Sequence, residues 1–142
     1  MIGQTISQYH VTAKLGEGGM GEVYLAEDTT LHRQVALKFL SDPALTNPES
    51  KARFIHEARA AASLEHPNIC AVHAIDEVDG RAYIAMAYVN GESIKEKIER
   101  GPLSIDQVRQ YATETASGLK EAHDKHIIHR DIKSANIMIS EK

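Results

Sequence analysis

The chain has 142 residues, with 16 Lys and Arg against 20 Asp and Glu, a net charge of −4 and a pI near 6.0. That balance argues against duplex DNA or RNA as a partner, since such partners call for a basic surface. Hydrophobic residues make up 42% and charged residues 25%, the usage of a folded chain of one-domain length and neither a disordered nor a fibrous one.

Taken in chain order, Tyr9, Val11, Ala13 and Leu15 alternate with His10, Thr12 and Lys14, the period of a half-buried strand. The Gly-rich stretch Gly16-Glu17-Gly18-Gly19-Met20-Gly21 follows, and Glu22 to Glu27 resumes an extended pattern, so the glycines sit between two strands. Gln34 to Leu40 reads as a third strand, with Val35, Leu37 and Phe39 on one face and Ala36, Lys38 and Leu40 on the other. Asn47-Pro48-Glu49 opens a helix, because Asn caps, Pro loses no needed N–H at the first helical position and Glu suits the positive end of the dipole. This helix is expected to run to about Leu64, where His66-Pro67 stops it. Ile69 to Ile75 and Arg81 to Val89 read as two further strands joined by the turn signal Asp79-Gly80. A short charged helix is expected over Ser93 to Glu99 and a longer one from Ser104 to about His123. On the longer helix Ile105, Val108, Tyr111, Ala112, Thr115, Leu119 and Ala122 form one stripe that wants burial. Cys70 stands alone, residues 1–5 carry no basic-then-apolar leader, and the longest apolar run, Ala82 to Val89, is far short of a membrane span. The expected setting is cytoplasmic.

The pattern Gly16-x-Gly18-x-x-Gly21 has three readings. A dinucleotide fingerprint needs the third Gly to open a helix, and here it opens a strand; a hairpin without ligand is the bland alternative. A phosphate cover is the third, since glycines let the backbone lie close over phosphates and point N–H groups at them. His123, His126 and His129 recur every third residue, but with no Cys nearby they make a poor metal set.

The run Gly16-Glu17-Gly18-Gly19-Met20-Gly21-Glu22-Val23 resembles the Gly-rich loop of protein kinases, and further motifs follow in the kinase order. Val35-Ala36-Leu37-Lys38 resembles the Lys-bearing strand, Glu57 in Phe54-Ile55-His56-Glu57-Ala58 the helix Glu, and His129-Arg130-Asp131-Ile132-Lys133-Ser134-Ala135-Asn136 the catalytic loop. The chain is similar to the amino-terminal half of the catalytic domain of the eukaryotic-like Ser/Thr kinases of bacteria. This resemblance implies an α+β, protein-kinase-like fold. A five-stranded antiparallel sheet with one helix would form an amino-terminal lobe and hinge over residues 1–90. The first helices and the catalytic loop of an incomplete helical lobe would follow over residues 91–142.

For the site, the resemblance implies ATP and Mg²⁺ as cofactors and Ser/Thr hydroxyls of proteins as acceptors. Lys38 would hold the α and β phosphates and Glu57 would orient it by an ion pair. Asp131 would take the hydroxyl proton, Lys133 would contact the transferring phosphate and point to Ser/Thr specificity, and Asn136 would offer an oxygen to magnesium. Adenine would lie between Leu15, Val23 and Ala36 above and Met138 below, against Ala87, Tyr88 and Val89 of the hinge, with Met86 as gatekeeper. Many relatives carry Glu in place of Ala87, but recognition there is through main chain. Ala61, Val72 and His129 would pack in the regulatory spine.

Residue 142 precedes the family's Asp-Phe-Gly motif and activation loop, and no membrane anchor is visible in this segment. A fragment of a kinase is therefore the favoured reading, with a non-catalytic nucleotide-binding or interaction module as the alternative. Made alone, these 142 residues are expected to be inactive, for want of that metal-binding Asp.

Overall fold

The computed structural model describes residues 1–18, 21–40, 47–127 and 134–140, and the side chains of Glu17 and Ala135 fall outside that description. The described chain divides into two compact units, one of Met1–Ser63 with Ala71–Tyr88 and one of Leu64–Cys70 with Val89–Lys142. Leu64–Cys70 would be placed with the first unit by reading along the chain, and it belongs to the second.

The first unit holds β1 (Thr5–Ile6), β2 (Tyr9–Gly18), β3 (Gly21–Asp28), β4 (Arg33–Leu40), α1 (Pro48–Ala62), β5 (Val72–Val78) and β6 (Arg81–Ala87). The strands make an antiparallel sheet in the order β1-β2-β3-β4-β6-β5. Five strands were expected and six are present. The extra one, β1, has two residues and returns to β2 through Ser7, whose φ of 53° makes the tight turn; no periodicity can show in so short a strand. Asp79 and Gly80 join β5 to β6 with φ of 51° and 76°, the paired positive values of a type I′ hairpin. The expected strand beginning at Ile69 begins at Val72, because the Ile69 N–H bonds the His66 carbonyl and closes a turn.

One face of this sheet is the core. Val11, Ala26, Val35, Leu37, Phe39 and Ala85 are fully buried there. Phe39 packs on Tyr83 with centroids 5.2 Å apart, and Tyr24 meets Phe39 and Tyr9 meets Tyr83 edge-on. Alternation along β2 does not persist to Leu15, which is exposed. Register shifts at Thr12 and Leu15 each insert a residue and turn the following side chains to the other face. Asn47 caps α1 as expected, its side chain accepting from the Glu49 and Ser50 N–H groups at 3.0 and 3.4 Å. The helix packs against β5, where Lys51 pairs with Glu77 at 2.6 Å.

The second unit holds β7 (Gly91–Ser93), α2 (Ile94–Glu99), α3 (Ile105–Asp124), a 3₁₀ turn (Ser134–Asn136) and β8 (Met138–Ser140), with β7 and β8 paired antiparallel. Ser93 and Ser104 start α2 and α3 with capping boxes to Glu96 and Gln107. The segment Leu64–Cys70 docks on α3: His66 Nε2 lies 3.0 Å from Ser117 Oγ, Asn68 donates to Glu114 at 3.4 Å, and a Cβ on Gly118 would stand 3.1 Å from the Asn68 carbonyl oxygen. The apolar stripe of α3 is buried at Ala122 and half-buried at Tyr111, Thr115 and Leu119, while Ile105, Val108 and Ala112 are exposed. No described helix is long and apolar enough to cross a membrane.

Candidate active site

In the first unit the site is carried by the sheet face opposite the core. Strand register aligns Gly16, Val23, Lys38, Ile84 and Ile75 in one cross-strand row, and Leu25, Ala36, Met86 and Val72 in the next. The period of two that buries Val35, Leu37 and Phe39 therefore turns Lys38 to the other side, beside Val23 and Ile84. Lys38 is half-buried among these apolar neighbours, and among the described residues its ammonium has neither an ion pair nor a hydrogen bond. A cation among apolar neighbours is favoured by an anion beside it.

Glu57 does not supply that anion here. Ala58 is the buried residue of α1, with Lys51, Phe54, Ile55 and Ala61 half-buried around it, and Glu57 falls off this stripe and is exposed. The expected Lys38–Glu57 ion pair is absent among the described residues.

The described glycines of the loop differ in what holds them. At Gly21 a Cβ would fall 1.8 Å from the Phe39 carbonyl oxygen, so close packing of β3 on β4 demands Gly there. Among the described residues a Cβ at Gly16 would meet nothing within 4 Å. Glu22 is turned away from the Lys38 row. It faces Tyr24, whose hydroxyl donates to its carboxylate at 2.9 Å, and Arg81, whose Nη2 lies 3.3 Å from the same oxygen. Donation from Tyr24 and, further, from Arg81 holds the Glu22 carboxyl below its usual range, while burial and then Glu22 push the Tyr24 phenol up. Reading the sequence missed Arg81, although alternation along β3 places Glu22 on the core side.

Along the hinge segment Met86, Ala87, Tyr88 and Val89 are half-buried. The Ala87 N–H is occupied, donating to the Ala71 carbonyl at 2.9 Å, whereas the Val89 N–H has no partner among the described residues. In the second unit β8 is held against β7 so closely that a Cβ on Gly91 would lie 1.9 Å from the Ile139 carbonyl oxygen, and the Ile94 N–H bonds the Ile137 carbonyl at 2.9 Å. Asn136, at the end of the 3₁₀ turn, and Met138, on β8, are positioned by this pairing, and both are exposed. Gly19, Met20, His129, Asp131 and Lys133 lie outside the described residues, as do the side chain of Glu17 and the burial of Gly18.

The antiparallel sheet with its capped helix, Lys38 on the face away from the core and the Asn-bearing turn are those of the amino-terminal part of a kinase domain. The family model described as protein kinase domain matches residues 9–142, and the chain belongs to that family. It is 42% identical over 141 residues to serine/threonine-protein kinase PrkC of Bacillus subtilis, covering 98% of this chain and 22% of that protein. To serine/threonine-protein kinase PknF of Mycobacterium tuberculosis it is 43% identical over 141 residues, covering 97% of this chain and 30% of the relative. The crystal structure of the M. tuberculosis PknI kinase domain superposes with a TM-score of 0.88 at 36% identity, over 100% of this chain and 58% of that one. The chain thus spans between a fifth and a third of these curated relatives and under two-thirds of the solved domain.

Proposed function

We propose that the complete domain carrying this chain is a protein serine/threonine kinase that transfers the γ-phosphoryl group of ATP to protein hydroxyls. The observation that carries this reading is Lys38, half-buried, without an anionic partner among the described residues and in one row with Gly16 and Val23. An anion is what that position lacks, and a nucleotide phosphate under a glycine cover supplies it. Val23, Ala36 and Met86 offer an apolar surface to a base. In the reaction the bond from the γ phosphorus to the bridging oxygen breaks, with its electron pair leaving on ADP. A new bond forms from the acceptor oxygen to phosphorus, and the hydroxyl proton passes to Asp131.

Magnesium, when bound, neutralises charge on the phosphates. The donor set fits it: Asn136 would bring one uncharged hard oxygen, the kind of ligand magnesium takes from a protein. Lys133, two residues after Asp131, supports Ser and Thr as acceptors, and its charge suits the transferring phosphate. A cytoplasmic setting goes with ATP as donor and with a single cysteine.

The test is transfer from γ-labelled ATP by the complete domain, followed by phosphoamino-acid analysis. Phosphoserine and phosphothreonine are expected. Predominant phosphotyrosine, or no transfer at all, would overturn the reading.

A further inference from the structure

The end of the sheet at which β3 begins is tied together by side chains that the chemistry above does not use. Arg81, the first residue of β6, donates from Nε to the Leu40 carbonyl at 3.0 Å and from Nη2 to Glu22 at 3.3 Å, and its guanidinium lies 5.2 Å from the centroid of the Phe39 ring. Tyr24 completes the set by donating to the same Glu22 oxygen at 2.9 Å. Three strands, β3, β4 and β6, are therefore joined through one guanidinium. The side chains of the pair are 19% and 31% exposed, so water screens it less than it would a surface ion pair.

The consequence for nucleotide binding follows from strand geometry. Glu22 and Val23 are consecutive on β3 and point to opposite faces, so an anchored Glu22 sets where Val23 stands in the row it shares with Lys38. We propose that Arg81, acting through Glu22, is a positioning residue for ATP: it fixes the first residues of β3, and with them Val23, over the nucleotide without touching it. This rests on the kinase reading above.

The experiment compares the complete wild-type domain with Arg81→Met, Arg81→Lys, Glu22→Gln and the Glu22→Gln/Arg81→Met double variant. Affinity for a fluorescent ATP analogue, KM for ATP, kcat and the melting temperature are measured for each. Arg81→Met should raise Kd and KM for ATP about three- to tenfold while kcat stays within about twofold. Arg81→Lys should recover part of the loss, since an ammonium reaches the carboxylate but not the carboxylate and the Leu40 carbonyl in one planar fork. The double variant should be no weaker than Arg81→Met, because the two residues act through one contact. Unchanged ATP affinity in Arg81→Met, or additive losses in the double variant, would overturn the proposal. Should Arg81→Met not fold, Arg81→Lys and Glu22→Gln decide it alone: nucleotide affinity equal to wild type in both contradicts it. Wild-type domain that binds no ATP would overturn the kinase reading and this proposal together, whereas wild type that binds and transfers beside unaffected variants would overturn this proposal only.

Discussion

The backbone of Gly21 runs so close to Phe39 that a Cβ built on it would lie 1.8 Å from the Phe39 carbonyl oxygen. That contact gives this glycine a structural duty that Gly16, where a Cβ would touch nothing among the described residues, does not share. Gly21→Ala is therefore expected to cost about 1 to 3 kcal/mol by forcing β3 away from β4. Gly16→Ala should leave the melting temperature near that of wild type and weaken ATP binding instead. Thermal melting beside nucleotide titration checks both, and equal stability losses in the two variants would contradict the distinction.

Asp28 is buried and satisfied at the end of β3. Its carboxylate accepts from the Leu31 and Thr30 N–H groups at 3.0 Å each and from Gln8 Nε2 at 3.1 Å. Burial pushes this carboxyl up, and the bonds from Leu31, Gln8 and Thr30 together outweigh it and hold the group below the usual 3.8. A depressed folded value means that the ionised group stabilises fully above the ordinary value, and that this stability is lost as pH falls through the folded one. Asp28→Asn should thus melt lower than wild type at neutral pH, with the gap closing below about pH 3.8. A gap that stays constant across that range would show that the charge does not matter.

Much of this arrangement was legible in the residues. Alternation over Val35 to Leu40 put Lys38 on the face away from the core, Asn47-Pro48 marked the start of α1, and Asp79-Gly80 marked the hairpin; all three stand so in the structure. What escaped is short or non-local. β1 has two residues, and β7 and β8 have three each with partners far apart in the chain, too few for a period to register. Leu15 left its expected face because of two bulges, which depend on pairing with β3 and not on composition. Leu64–Cys70 joined the second unit through His66 and Asn68, whose partners Ser117 and Glu114 lie on a helix some fifty residues later. Glu57 was found by its motif, but which side of α1 faces the sheet is decided by Ala58 and its neighbours.

Asp131→Asn in the complete domain should lower kcat by about 10² to 10⁴ if that carboxylate takes the hydroxyl proton. KM for ATP should change little, because the role proposed for Asp131 is toward the acceptor hydroxyl and not the nucleotide. Steady-state kinetics with a protein substrate measures both, and unchanged kcat would remove Asp131 from this role.

Lys38 provides the most direct measurement, because an ammonium with no anionic partner among the described residues is what points to a phosphate. ATP and adenosine should be titrated separately into the complete wild-type domain and its Lys38→Met variant, with melting curves recorded for each. Lys38 has no partner to orphan among the described residues, so the variant should melt at or above the wild-type temperature. ATP should bind the variant at least tenfold more weakly, adenosine should bind both proteins alike, and phosphoryl transfer should fall by at least about 10²-fold. Equal affinity for ATP in the two proteins, or normal turnover by the variant, would contradict the assignment of Lys38 to the phosphates.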